Sequence, residues 1–507
     1  MAPVLLYGSR ILSRSFRRNA HQTIRTAATA SAQKREGDIS DAFASLSGLE
    51  FKPLEPRFAD LKAQLIAGNE EALYDSWNRL LASLREEIPL IAQKGPSIIP
   101  EIDFKDIDNA SPEFKAEHRK RGVAVIRNVI PEQEALALKK DLRSYLEANP
   151  QTKAFPKENP QVWEMYWSPS QIRARSHPNL LKAQRFLLEF WHSKDPNAPI
   201  SSSHPMIYAD RLRMRSPGDN VFALGPHVDG GSCERWEPDG YGRGNVYEAI
   251  WRGKWEEFDP WESSCRLPVI SDKYQGVGAC SMFRMHQGWL SMSNTGPYEG
   301  TLLVNPLLSR ATAYYLLRPF FSPKKPAQDP TSETYEEAFL APDNWKLSTT
   351  QDSWLQGATP GHGQELRAQL HPHLNLPSSM VHVGRVNPGD YVSWHCDTIH
   401  AVDKIHAGKT DSSVLYIPAC PLTISNAEFV ATQREAFLNG TPCPDFGGGI
   451  GESQHIGRPG IEDVRNVNPV EGMRAFGLSP WDRSEPGLTQ GQKAVMDRAN
   501  TILGFSM

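Results

Sequence analysis

Residues 211–236 read RLRMRSPGDNVFALGPHVDGGSCERW. At their centre stand His227 and Asp229, one residue apart. If residues 222–229 are extended, side chains two apart share a face, and an imidazole nitrogen and a carboxylate oxygen reach one point in space. That supplies two of the three ligands of a 2-His-1-carboxylate facial site, the arrangement that holds non-haem Fe(II) and leaves positions open for co-substrate and oxygen. Pro226 before the pair and Gly230-Gly231 after it suit a strand ending at the mouth of a site. The spacing alone is weak, because 15 histidines give about one His-x-Asp pair by chance on ordinary residue usage. A second pair does occur, His395 and Asp397 around Cys396. The competing reading of either pair is a histidine hydrogen-bonded at a strand end beside a turn aspartate.

Outward from this stretch, residues 203–421 alternate short β-like runs with Gly, Pro and Asn. Strands are expected at 211–215, 221–228, 279–285, 300–304, 311–317, 381–386, 390–395 and 413–418. Many short strands separated by turn signals predict a barrel or a two-sheet roll. Two insertions interrupt it. Residues 234–261 are dense in aromatics (Trp236, Tyr241, Tyr247, Trp251, Trp255, Phe258 and Trp261) and either cover the site or pack onto the barrel. Residues 322–379 are polar and Pro-rich, too long for an ordinary connection, and read as a surface excursion or a lid.

Upstream, residues 58–92 carry a helical stripe of Leu73, Trp77, Leu80, Leu81, Leu84 and Ile88, which reads as core packing. The β-branched run 123–130 predicts a strand. Pro131 then opens a helix with Ala135, Leu138, Leu142 and Tyr145 on one face. Another helix is expected at 179–192. Downstream, a helix at 426–438 leads into a Gly/Pro-rich tail with a last short helix near 491–502.

A length of 507 residues allows roughly two to four domains, or one large core with insertions. The formal net charge of −4 carries no nucleic-acid signature. The six cysteines, at 233, 265, 280, 396, 420 and 443, form no C-x-x-C and read as reduced thiols. No apolar run reaches the roughly 18 residues needed to span a bilayer. There is no G-x-S-x-G for a serine hydrolase and no G-x-G-x-x-G for a dinucleotide. The first 35 residues carry Arg10, Arg14, Arg17, Arg18, Arg25, Lys34 and Arg35 with no acid before Glu36. That composition fits a mitochondrial transit peptide, with the matrix as destination; otherwise the protein is expected in the cytoplasm.

A facial site needs a second histidine from a later strand. Residues 387–403, NPGDYVSWHCDTIHAVD, offer His395 and His400. Their odd spacing would put them on opposite faces of one uninterrupted strand. A rival set, His395, Asp397 and His455, is possible locally, but too few strands follow His395 to close a barrel around it.

Four stretches in order carry a resemblance: RGVAVIRNVIPEQEALALKKDL (121–142), the His227–Asp229 pair, EGTLLVNPL (299–307) and GDYVSWHCDTIHAV (389–402). Together they resemble the Fe(II)/2-oxoglutarate dioxygenase superfamily, most of all its phytanoyl-CoA-hydroxylase-like branch. ALGPHVDGGSCERWE (223–237) and ACSMFRMHQGWLSMS (279–293) look closer still to an uncharacterised fungal and bacterial domain-of-unknown-function family within it. The resemblance covers roughly residues 115–430 and rests on ordered motifs rather than any one of them.

What the resemblance implies is an α+β chain with a double-stranded β-helix (jelly-roll, cupin-like) core, flanking N-terminal helices and two long insertions. The expected organisation is 1–35 transit peptide, 36–202 mainly helical with a first strand near 123–130, 203–425 catalytic core with insertions 234–261 and 322–379, and 426–507 a C-terminal helix and tail. His227, Asp229 and His400 become the iron ligands, and His395 a packing residue or a support for a ligand. Related enzymes place an Arg about eleven residues after the last histidine to clamp the distal carboxylate of 2-oxoglutarate; here position 411 is Asp. A buried carboxylate still needs a cation. Arg284 is the expected clamp, with Arg213, Arg215, Lys404 and Lys409 as alternatives. The implied activity couples oxidative decarboxylation of 2-oxoglutarate by molecular oxygen to hydroxylation of a small molecule, with no nucleic-acid partner and no membrane span. The alternatives are a cupin-type metal-dependent oxygenase or isomerase that does not use 2-oxoglutarate, and a non-catalytic ligand-binding barrel.

Overall fold

The computed structural model of the protein describes residues 42–220, 223–277 and 279–505. The expected transit peptide at 1–35 and two residues of the expected strand 221–228 lie outside the described residues.

The strands in chain order are β1 (Glu101–Asp103), β2 (Val123–Arg127), β3 (Ala154–Phe155), β4 (Val162–Trp163), β5 (Ile200–Met206), β6 (Leu212–Arg215), β7 (His227–Val228), β8 (His286–Ser291) and β9 (Leu302–Val304). They continue as β10 (Phe321–Pro323), β11 (Trp345–Leu347), β12 (Gln364–Glu365), β13 (Val381–His382), β14 (Tyr391–His395), β15 (His400–Val402), β16 (Ser412–Tyr416) and β17 (Cys420–Thr423). Eight form one sheet in the order β1-β2-β14-β8-β16-β6-β4-β3, antiparallel except for β1 with β2. Five form a smaller antiparallel sheet, β12-β7-β15-β9-β13. The chain is thus a mixture of helices and large, mainly antiparallel sheets. It crosses between the two sheets at each step from β6 to β9, and again from β13 to β16.

The period-two rule assigns the faces of the large sheet. Trp289, Val392, Trp394 and Val414 join Val228, Leu302, Val304 and Val381 of the small sheet in one core cluster. Their chain neighbours Leu290, Tyr391 and Leu415 face the other way, onto Leu138, Leu142, Leu180 and Leu187. The helices Glu132–Ala148 and Pro178–Leu188 supply those residues and cover the outer face. In β6 the same alternation sends Leu212 and Met214 outward, which leaves Arg213 and Arg215 on the inner side. The stripe expected at 58–92 forms two helices, Arg57–Ile66 and Glu70–Lys94, broken at Gly68, where φ is +79°. Trp77 of the second is fully buried and stacks on Phe321 with ring centroids 4.3 Å apart.

Two expected strands are corrected. Residues 308–317 are the helix Leu308–Leu317, with Ala311 and Tyr314–Leu317 all buried. A short apolar run buried on every side has no period to separate helix from strand. Residues 279–285 are irregular, and the strand begins only at His286. Side chains hold that segment in place of a ladder: Asn426 accepts from the Phe283 amide at 2.8 Å, and Asp445 from that of Ser281 at 3.0 Å. A strand, β1, precedes the one expected at 123–130 and pairs with it in parallel. The 322–379 excursion contributes β12, which pairs with β7. No helix among the described residues is long and apolar enough to cross a membrane, and no two cysteines are joined in a disulfide.

Candidate metal centre

The register brings the two histidines together. His227 in β7 lies directly opposite His400 in β15, and directly opposed antiparallel residues share a face about 5 Å apart at Cβ. Their rings stand 4.1 Å apart between centroids. Val228 points into the core, so Asp229 returns to the face of His227, with its Oδ1 3.6 Å from His227 Nε2. One ligand atom from each of His227, Asp229 and His400 lies within 4.8 Å of the others. Gly230 and Gly231 then turn the chain away with φ of +84° and +81°. A Cβ on Gly231 would meet the Ser271 carbonyl at 2.4 Å, so that turn requires glycine.

Both imidazoles are anchored from behind. His227 Nδ1 lies 2.7 Å from the Gly225 carbonyl and His400 Nδ1 3.1 Å from the Thr398 carbonyl. A carbonyl only accepts, so each Nδ1 carries a proton and each Nε2 is the nitrogen turned to the site. Burial, and then the neighbouring His227, push His400 down to about 3, so it is neutral at pH 7. Burial favours the protonated form of Asp229, but His227, His400 and Arg284 outweigh it and hold the carboxyl at about 2. Two imidazole nitrogens and one ionised oxygen on one face, each backed by the fold, match the donor set and outer support of a divalent transition-metal site.

The ligand face opens into a cavity lined also by Arg213, Arg284, Trp289, Trp394 and Phe43. Phe43 precedes the first helix and meets His227 edge-on, ring centroids 4.6 Å apart. It is held there by the Gly363 amide on the Ala42 carbonyl at 3.0 Å and the Ser45 amide on Glu365 at 3.1 Å. Arg284 Nη2 approaches Asp229 Oδ2 at 3.4 Å, and its guanidinium lies over Tyr208. Arg215 lies on the same inner face but spends its donors on Asp219 and on the Asp403 and Lys404 carbonyls. Lys404 and Lys409 are exposed on the loop after β15. Phe43 and Trp394 were not among the residues expected at the site. Nothing in the motif marks Phe43, whereas Trp394, next to His395 on an inner-facing strand, could have been found by its alternation.

The second pair has another fate. His395 Nε2 donates to the Pro260 carbonyl at 2.9 Å, its Nδ1 accepts the Asp397 amide at 3.0 Å, and Trp191 stacks on the ring. Asp397 is paired with Arg235 and Arg266. His455 lies elsewhere, beside Tyr145 and Thr152, so the rival set His395, Asp397 and His455 does not assemble. The aromatic insertion is packing. Trp236, Tyr241, Tyr247, Trp251, Trp255 and Phe258 belong to the main core, and only Tyr241 reaches the loop beside Asp229, donating to the Gly230 carbonyl at 2.9 Å.

Fold and site together define a mixed helix-and-sheet protein whose two large, mainly antiparallel sheets hold a His–Asp–His cluster with both histidines buried. The chain belongs to the Gig2-like family, whose sequence profile matches residues 52–478. It is similar to the crystal structure of GlcNAc Inducible Gene 2, GIG2 (DUF1479), from Candida albicans, with 32% identity, 90% of this chain and 96% of that one covered, and a TM-score of 0.79. It is also similar to the uncharacterized protein YbiU of Escherichia coli (strain K12), 28% identical over 432 residues, covering 82% of this chain and 94% of the relative. The structure of the Hypothetical Protein JW0805 from Escherichia coli matches at 28% identity with a TM-score of 0.69, covering 83% of this chain and 96% of that one. The expected kinship with an uncharacterised family of fungi and bacteria agrees with these matches.

Proposed function

We propose that this protein is a non-haem Fe(II)- and 2-oxoglutarate-dependent dioxygenase that oxidises a small molecule. The observation that carries the reading is the cluster of His227, Asp229 and His400, with both imidazoles anchored through Nδ1 so that two nitrogens and one carboxylate oxygen face one point. The strand order supports it: β6 to β9 and β13 to β16 alternate between two sheets, as the strands of a double-stranded β-helix would, with His227 and His400 on adjacent strands of the smaller sheet.

Bound Fe(II) with 2-oxoglutarate and oxygen supplies oxidative decarboxylation to succinate and carbon dioxide, coupled to oxidation of a substrate C–H bond. The chain's own part is to orient and to exclude water. His227 and His400 present their Nε2 atoms, and Asp229 supplies the anionic donor on the same face. The Gly225 and Thr398 carbonyls fix the two ring orientations. Phe43, Trp289 and Trp394 line the cavity with apolar surface, so a co-substrate held beside the three ligand residues would meet a restricted volume rather than bulk water.

The test is an anaerobic titration of Fe(II)-loaded protein with 2-oxoglutarate, followed by the visible metal-to-ligand charge-transfer band, with His227→Ala alongside. A saturable band in the wild type that the variant lacks is the expected result. Iron binding without a band would sink the 2-oxoglutarate step in favour of another metal-dependent oxygenase or isomerase. Failure to bind iron would leave a ligand-binding barrel.

A further inference from the structure

Three guanidiniums line the cavity at the triad, those of Arg211, Arg213 and Arg284, against two carboxylates, Asp210 and Asp229. Asp210 takes Arg211 at 3.2 Å, and that guanidinium also lies over the Phe446 ring. Asp229 takes Arg284. Arg213 is left over. It is 2% exposed, and among the described residues its one hydrogen bond runs from Nη2 to the Gly300 carbonyl at 3.3 Å. Its Nε is buried with no partner. A buried, unpaired cation is costly in an apolar interior unless an anion meets it. A bound divalent metal would add positive charge to the same cavity and increase the demand for an anion.

The neighbouring strand explains why this cation stands on β6. The residue about eleven positions after His400, where an arginine is expected, is Asp411, which pairs instead with Lys139 and Arg143 of the outer helix Glu132–Ala148. The next residue, Ser412, is small and donates to the same Gly300 carbonyl that receives Arg213. The register sets Arg213 opposite Val414 on the inner face. Ser412 itself lies opposite Arg215, whose donors are spent, so the guanidinium left for that side of β16 is that of Arg213, which meets Ser412 at the Gly300 carbonyl.

We propose that Arg213, not Arg284, binds the distal carboxylate of the 2-oxo acid co-substrate. The proposal rests on the dioxygenase reading above. Arg284 lines a second cavity as well, one that shares Asp229, Cys280 and Gln287 but not Arg213. It stands in the wall between the two cavities and orients Asp229. The fork of Arg213, with Nε and its neighbouring edge unspent, suits two parallel hydrogen bonds to a carboxylate.

The experiment titrates Fe(II)-loaded wild type, Arg213→Gln, Arg213→Lys and Arg284→Gln anaerobically with 2-oxoglutarate and with 2-oxobutyrate. The second probe has the same chelating head and no distal carboxylate. Arg213→Gln should weaken 2-oxoglutarate by at least roughly thirty-fold, while 2-oxobutyrate changes by no more than about three-fold, so the preference between the two collapses. Arg213→Lys should retain part of the preference. The ligand-free Arg213→Gln protein should melt no lower than wild type, because it loses an unpaired buried charge; a cation with a purely structural role would lower the midpoint. A wild-type band with 2-oxoglutarate that Arg213→Gln leaves undiminished, or a preference that collapses in Arg284→Gln instead, overturns the assignment to Arg213. A wild type that binds iron but gives no band overturns the dioxygenase reading itself.

Discussion

His227–Asp229 and His395–Asp397 share one spacing, the first at β7 of the small sheet and the second at the end of β14 in the large one, yet their surroundings differ atom by atom. In the first pair each histidine-side anchor is a carbonyl behind the ring, and the ring's other nitrogen faces a cavity. In the second, both ring nitrogens are spent, and two arginines close on the carboxylate. Exposure follows the same division: the Asp229 side chain is 26% exposed and that of Asp397 1%. A ligand pair is distinguished by what is left unsatisfied, and spacing alone does not report that. The two are also coupled. Arg235 donates to Asp397 at 2.9 Å and to the Asp229 carbonyl at 2.7 Å, so the satisfied pair props the open one.

The strongest way to break this contrast is Asp397→Asn. Arg235 and Arg266 would be left buried and uncompensated, and removing one partner of a buried pair costs about 3–5 kcal/mol. Chemical denaturation should show that loss, whereas Asp229→Asn should cost far less stability and abolish metal binding. In the fraction of Asp397→Asn that folds, Fe(II) affinity should fall by about 10- to 100-fold, the usual scale for a residue that supports a ligand through its neighbour. An Asp397→Asn protein as stable as wild type would remove the distinction between the pairs.

A smaller effect comes from acid. Burial holds His395 near 3, His371 near 3 and His118 near 4, all below the ordinary 6.5. The unfolded chain therefore takes up protons that the folded one refuses, and stability falls as the pH drops below about 6.5 toward these values. From pH 6.5 to 5.5 each should contribute about 1 kcal/mol of loss. His395→Phe keeps a ring for Trp191 to stack on, and should flatten that slope by one group while leaving Fe(II) binding at neutral pH in place. An unchanged slope would mean that His395 is charged in the fold, and the two pairs would no longer differ in protonation.

Much of this arrangement was legible. The His227–Asp229 pair, the strands at 390–395 and 413–418 and the N-terminal stripe all follow from period and turn chemistry. The structure places them within a few residues, at Tyr391–His395, Ser412–Tyr416 and Glu70–Lys94. The choice between His395 and His400 was not settled by parity, because the chain leaves the large sheet after His395 and enters the small one at His400. Only the cross-strand register with His227 decides it, and register is a non-local fact. The helix at 308–317 was hidden by burial on all sides. The standing of Arg213 was hidden as well: Arg284 was the first choice on paper with Arg213 among four alternatives, and the five separate only when every donor is counted.

The finest test concerns the aromatic insertion, where the sequence left cover and packing open. Tyr241 is the aromatic side chain of the insertion that hydrogen-bonds the loop of the first pair, through a hydroxyl on the Gly230 carbonyl, and its ring lies under the Arg235 guanidinium. Tyr241→Phe removes the hydroxyl and keeps the ring. As packing, the insertion should lose only that hydrogen bond, about 1 kcal/mol in a denaturation curve, with Fe(II) and 2-oxoglutarate binding within about three-fold of wild type. A larger loss of ligand affinity without a loss of stability would give the insertion a direct part in the site. The open pair would then depend on a contact beyond Arg235, and the support now assigned to the buried pair would have to be shared.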